Sequence, residues 1–434
     1  MRTSRRLRRA ATTAAATTAV LALVAPAQAA DLGHDGGSRT PAASPAYTSA
    51  VAGTIVFVRD HDVWVARADG TGARAVTTDG TASAAYHTPT QSDGGVIAAG
   101  RGQLIVRMTQ HGRVLNTIDP EPMLTSVGHP VDGVPVDVAI SPDGDRIAYS
   151  FYTYQCPVGT SCGQRYVTGY TAADRYTPPA PHGTSYFNSP SWVTSDRTVE
   201  GGGFGSQINL HQLGQDPVHW FDDSAHSTDW QDWEDLSEPD VSPDGTRLAV
   251  VRSYGDEEHI AFYEVVGDVR TEPSPRGPDR HCMTNEQPGF EDPTWSADSS
   301  TVAWEEPTGV WMSADPVPGC VVQPRLVLPG ASEPDFSAAD LQDRPVPIRS
   351  TARPVVRGTP RVGSVLTATS GSWSPQPTTV RYRWSRNGTP VSGATTARYR
   401  LTRRDAGASV RVSVTATRAG SQATAVSKAV SVRR

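Results

Sequence analysis

Pro239-Asp240-Val241-Ser242-Pro243-Asp244-Gly245, followed by Arg247-Leu248-Ala249-Val250-Val251, is the stretch that decides the fold. Proline presets φ, aspartate holds the turn through its side-chain oxygen, and glycine supplies a positive φ. A short apolar strand therefore ends in a tight turn, and a second short strand leaves it. The unit recurs as Val138-Ala139-Ile140-Ser141-Pro142-Asp143-Gly144 before Arg146-Ile147-Ala148-Tyr149. It recurs again as Pro293-Thr294-Trp295-Ser296-Ala297-Asp298 before Thr301-Val302-Ala303-Trp304. Weaker copies begin at Pro89, Pro190 and Pro334, and the six starts lie 49, 52, 49, 54 and 41 residues apart. A period in this range marks a propeller or a solenoid, because one such unit cannot bury its apolar faces alone.

The repeats resemble the TolB-like (WD-repeat-like) propeller family, whose unit reads Pro-x-Trp-Ser-Pro-Asp-Gly before an Ile-Ala-Phe strand. The copies at 138, 239 and 293 match well; those at 89, 190 and 334 lack the Pro-Asp-Gly turn. Thr54-Ile55-Val56-Phe57-Val58, Asp62-Val63-Trp64-Val65 and Arg67 to Thr71 read as a blade without its first strand. Ala331 to Ser337 reads as a first strand without its blade. Joining the two closes the ring with the chain's own ends and gives six blades, or seven if 145–189 holds an extra one. The resemblance implies protein–protein contact through the ring face.

Charge divides the 434 residues in two. Residues 30–344 hold 18 Arg against 44 Asp plus Glu, a net of −26, whereas residues 345–434 hold 15 Arg, Lys428 and a single acid, Asp405, a net of +15. An acidic body thus precedes a basic tail, with a proline-rich linker at 345–353 between them. In the tail, Val380, Tyr382, Trp384 and Val410, Val412, Val414 alternate with polar residues, as in half-buried strands, and Asn387-Gly388 is a hairpin turn. About seven short strands over 354–434 fit an immunoglobulin-like sandwich. The segment resembles the bacterial Ig-like domains at the C-termini of secreted actinobacterial proteins. It lacks the intersheet disulfide, so Trp373, Trp384 and Tyr399 are expected in its core. The expected fold is all-β: a propeller over 51–344 followed by this small sandwich.

Residues 1–29 read as an export signal: five arginines, an apolar stretch from Ala10 to Val24, and Ala27-Gln28-Ala29 as a cleavage site. Ser4-Arg5-Arg6 resembles a twin-arginine signal, and Arg8 leaves Sec against Tat open. Residues 30–50 are too poor in apolar content to pack and read as a disordered linker. The predicted location is secreted, extracellular or wall-associated. No apolar run approaches the roughly 20 residues that span a bilayer, and export argues against nucleic acid as a partner. In an oxidising compartment the four cysteines are expected as two disulfides, with Cys156–Cys162 and Cys282–Cys320 the favoured pairing.

The residue before each repeat start is expected to enter an innermost strand at the mouth of the central channel. In order these are Thr88, Asp137, Ser189, Glu238, Asp292 and Glu333. The connections after the second strands, expected on the same face, add Asp60, Asp62, Asp256, Glu257, Glu258, Glu305 and Glu306. This face reads as an acidic funnel for a cation or a basic partner; the alternative is that polar loop tips simply carry the acids of a strongly acidic body. Trp230 and Trp233, set among Asp222, Asp223, Asp232, Glu234 and Asp235, suit a sugar platform or a calcium loop. They could equally tuck between blades. No cofactor is expected, calcium being the one ion these carboxylates suit.

No His-Glu-x-x-His motif occurs. The expected function is therefore non-catalytic binding or scaffolding in the cell envelope or outside it. A protein or glycan would meet the propeller face, and anionic wall polymer the basic domain. The alternative is a carbohydrate-active enzyme, a lyase or glycosidase, with acids at the propeller mouth.

Overall fold

The structure is a computed structural model that describes residues 51–434 apart from 126–127, 156–162, 179–183, 186, 203–206, 223–234, 255–256, 273–274, 344–345 and 419–420. The proposed signal, the 30–50 segment, and Cys156 and Cys162 lie outside the described residues. The chain forms two compact units that divide between Gln342 and Asp343. No described helix is long and apolar enough to cross a membrane.

The first unit contains six four-stranded antiparallel sheets. Their innermost strands are Ser332–Ser337, Tyr86–Gln91, Pro135–Ile140, Phe187–Thr194, Asp235–Val241 and Glu291–Trp295, in sheets one to six. Each innermost strand touches that of the next sheet, and the sixth touches the first, so the sheets form a closed ring. Sheet one is built from both ends of the unit: Ile55 pairs with Phe336 and Val56 with Asp335. The extended hairpin Arg146–Gln155 and Gly163–Ala172 belongs to sheet three, so 145–189 adds strands to an existing sheet.

Strands buried on both faces read as nearly continuous apolar runs, and Thr54–Arg59 shows the consequence. Ile55 and Phe57 pack with Ala303, Val310 and Met312 of sheet six. The alternate residue Val56 packs with Ile97, Ala99 and Met108 of sheet two. Similar apolar clusters join sheets two and three, four and five, and five and six. Between sheets three and four the described contacts combine an edge-to-face pair, Tyr170 with Trp192, and a polar cluster. There the Tyr170 hydroxyl donates to Glu200 Oε1 and lies 2.8 Å from Thr198 Oγ1 and 2.9 Å from His211 Nδ1.

The repeat's turn owes its sequence to side-chain hydrogen bonds. Ser242 Oγ donates to Asp244 Oδ1 at 2.7 Å and accepts the Arg247 N–H at 2.9 Å, while Asp244 Oδ1 also accepts the Thr246 N–H at 3.0 Å. Ser141 with Asp143 and Ser296 with Asp298 repeat this. Gly245 takes φ 76°, which an L residue adopts only at a cost. The disulfide Cys282–Cys320 is formed. It ties the outer strand Asp279–Met283 of sheet five to a loop of sheet six, bridging neighbouring sheets.

The second unit packs a three-stranded sheet (Val356–Arg357, Val365–Ala368, Arg398–Arg400) against one built on Thr379–Arg386, Ser409–Arg418 and Ser421–Val426. Trp373, Trp384 and Tyr399 lie in the core between them, as expected. The 345–353 segment departs from its reading as a linker. Ile348 is buried in this core, and Arg349–Ala352 is a strand paired with Ser372–Ser374. The cause is pairing: an edge strand can form from a sequence without apolar alternation when its ladder partner is already in place.

Candidate functional site

Thr88, Asp137, Ser189, Glu238, Asp292 and Glu333 all line one cavity of about 530 Å³ that runs along the six innermost strands. A specific backbone feature puts them there. Thr88, Ser189, Glu238, Asp292 and Glu333 have φ of 42°, 46°, 51°, 54° and 53°, and each precedes a proline. A left-handed residue costs about 1–3 kcal/mol, and a following proline narrows its options further. Asp137, followed by Val138, is the member of the set outside this group. The ladder registers shift at the five left-handed residues, and such a bulge turns each out of its ladder; in sheet three the shift falls one residue earlier, between Pro135 and Asp137, and Asp137 stays paired with Ser150.

The backbone N–H released in this way is taken by a carboxylate from the preceding sheet. Ser189 N donates to Asp137 Oδ2 at 2.9 Å, Asp292 N to Glu238 Oε2 at 2.7 Å, and Thr88 N to Glu333 Oε2. Glu333 N in turn donates to Glu305 Oε2 at 2.9 Å. Three of the four acids expected as ligand groups therefore also tie adjacent sheets together. A carboxylate offers about four lone-pair sites, so one accepted N–H does not exhaust it.

Several acids expected at the mouth likewise hold backbone or side-chain donors. Glu258 Oε2 accepts the Gly289 N–H at 2.5 Å. Glu306 accepts from Gln287 Nε2 and Trp304 Nε1, both at 2.9 Å, and Asp62 Oδ1 from Thr77 Oγ1 at 2.6 Å and the Gly80 N–H at 2.9 Å. Trp230, Trp233 and Asp256 lie outside the described residues. Glu291 and Glu305 are directly opposite across the ladder, and with Asp292 they bring three carboxylate oxygens within 4.8 Å of one another. Hard oxygen ligands at that spacing suit calcium.

Asp240 and Asp335 also line the cavity. Asp240 Oδ1 accepts from Ser191 Oγ at 2.5 Å and its Oδ2 from the Trp295 N–H at 2.8 Å, while Asp335 Oδ2 accepts the Gln91 N–H at 2.9 Å. Burial pushes the Asp240 carboxyl up to about 6 despite those two donors. Burial pushes Asp335 up to about 7 against the Gln91 N–H, and the nearby Asp240 charge adds to the rise. Neither carries a mark in the repeat's sequence, although each stands two residues beyond a mouth residue, Glu238 or Glu333, on the same strand.

A closed ring of four-stranded sheets about an axial cavity defines a β-propeller. No protein-family profile matches the chain, and no curated protein is similar to it. Solved structures similar to it include TolB from Acinetobacter baumannii, 13% identical with a TM-score of 0.42, covering 67% of this chain and 68% of that one. The Cps50 (Swd1) β-propeller domain of Myceliophteria thermophila is 11% identical with a TM-score of 0.34, covering 61% and 84%. A functionally unknown protein from Desulfotomaculum acetoxidans is 10% identical with a TM-score of 0.39, covering 66% and 100%.

Proposed function

We propose that this chain is an exported, non-catalytic binding or scaffolding protein of the cell envelope or extracellular space. In this reading a six-bladed TolB-like propeller presents a ligand site, and a basic Ig-like domain holds anionic wall polymer. The observation that carries it is the ring of six equivalent positions around one cavity, four of them acidic. Such a rim suits a protein segment or a glycan bearing basic groups, or a cation held by Glu291, Asp292 and Glu305. Titration of the full chain with calcium and with a lysine-rich peptide, read by calorimetry, tests it. Binding that weakens at least tenfold in Glu291→Gln/Glu305→Gln for calcium, or in Glu333→Gln for peptide, supports the reading. Failure of both ligands to bind, or binding indifferent to these changes, overturns the reading of the mouth.

A carbohydrate-active enzyme is the second reading. It is favoured by Asp240 and Asp335, two carboxyls in one cavity whose pKa values are raised to about 6 and about 7, which suits either as a general acid. Both also hold backbone N–H groups, which is why binding stands first. Reducing-end release from acidic polysaccharides, abolished by Asp335→Asn, would reverse that order.

A further inference from the structure

The C-terminal unit has a groove that follows from no repeat or motif. It lies between the strands Arg349–Ala352 and Ser421–Val426, has a volume of about 550 Å³, and is lined by Ser350, Thr351, Arg353 on one wall and Arg411, Thr424 and Ser427 on the other. Both arginines are exposed, and neither has an ion-pair partner among the described residues. Exposed Val426 and Ala352 add apolar surface beside them.

The charge around the groove has no counterweight within residues 345–434. Residues 345–434 contain one side-chain carboxylate, Asp405. It is fully buried, bonded to Arg386 Nε at 2.6 Å, to the Tyr399 hydroxyl at 2.9 Å and to the Thr402 N–H at 2.7 Å. Asp405 therefore neutralises Arg386 inside the fold and presents nothing to the surface. The other arginines and Lys428 face solvent with no side-chain anion of their own segment, a surface that attracts polyanions.

We propose that this groove seats one phosphodiester of a polyol-phosphate chain, held between Arg353 and Arg411. The inference rests on the reading of the C-terminal unit as a binder of anionic polymer and names its site and ligand chemistry. A guanidinium offers paired N–H donors that match two non-bridging phosphate oxygens. A tetrahedral anion takes donors from two facing walls, whereas a planar carboxylate presents its oxygens in one plane. The carbon stem of the polyol then lies against Val426 and Ala352, and flanking phosphates follow the surrounding positive surface.

The test uses the full chain and a defined poly(glycerol phosphate) oligomer, with affinity measured at 50 and about 300 mM salt. Arg353→Gln/Arg411→Gln should weaken binding at least tenfold. Arg398→Gln/Arg400→Gln, which removes the same charge from the other sheet, should weaken it less than threefold. Polygalacturonate, a carboxylate polymer, should bind at least tenfold more weakly than the phosphate chain. Equal losses in the two double variants, or equal affinity for the two polymers, would overturn the groove while leaving polymer binding in place. No binding of either polymer by the unaltered chain at low salt would instead sink the parent reading, and the groove with it.

Discussion

Glu238 Oε2 accepts the backbone N–H of Asp292 at 2.7 Å, joining the innermost strands of two adjacent sheets. Both residues have left-handed backbones and both precede proline. The bond explains how the propeller sustains such residues around its axis: the amide that the bulge frees from its own ladder is satisfied by the neighbouring sheet. Ring closure and mouth geometry are thus set by the same contacts.

Truncating that acceptor leaves a part-buried donor unsatisfied. Glu238→Ala is expected to destabilise the propeller by about 1–3 kcal/mol, while Glu238→Gln, which keeps a carbonyl acceptor, costs about 1 kcal/mol or less. Urea unfolding followed by tryptophan fluorescence measures both. Equal losses in the two variants would show that charge, not acceptance of the N–H, matters there.

Asp335 gives a stability effect that grows with pH. Its folded pKa of about 7 lies above the ordinary 3.8, so the folded state binds the proton more tightly than the unfolded chain. Its contribution to stability then falls as pH rises from about 4 through about 7. Asp335→Asn should match the wild type near pH 4 and exceed it by on the order of 2 kcal/mol at pH 8. Thermal unfolding across that range would refute the account if the two curves stay parallel.

The turn aspartates act with the opposite sign. Burial works against Asp143, Asp244 and Asp298, but hydrogen bonds from Ser141, Ser242 and Ser296 and from following N–H groups hold all three below 3.8. Their stabilisation is present above the unfolded value and is lost as pH falls through the lowered folded values. Asp244→Ala should therefore cost about 1–2 kcal/mol at pH 7, a gap that narrows below pH ~4. Acid titration of both proteins by circular dichroism gives the comparison.

The Tyr170–Glu200 contact between sheets three and four predicts an asymmetric response. Glu200 is fully buried, and its Oε1 accepts from the Tyr170 hydroxyl and from Thr198 Oγ1 at 3.0 Å. Tyr170→Phe removes a donor from a buried carboxylate and should cost about 1–3 kcal/mol. The paired change Tyr170→Phe/Glu200→Leu removes donor and acceptor together and should recover most of the loss. Failure of the pair to recover it would mean that packing, and not unmet hydrogen bonding, governs this seam.

Proline and glycine spacing made the propeller legible in sequence, because a turn residue's φ is a local property that needs no partner. The pairing of residues 54–58 with 332–337 was legible for a related reason: an incomplete unit at each end leaves one missing strand and one spare. Charge content was equally plain, and with it the contrast between an acidic body and a basic tail.

The roles of individual acids belonged to the tertiary structure. Glu238, Asp137 and Glu333 look like solvent-facing ligands when read as loop-edge residues, and only adjacent sheets brought into contact supply the amides they accept. Asp240 and Asp335 become unusual because six strands converge, removing water from around them and bringing the two charges near each other. The strand at 349–352 and the groove beside it exist through pairing with chain tens of residues away. Sequence determined which residues could turn, alternate and repel; the closed ring and the packed sheets determined which charges lost their water and what each was left to bond.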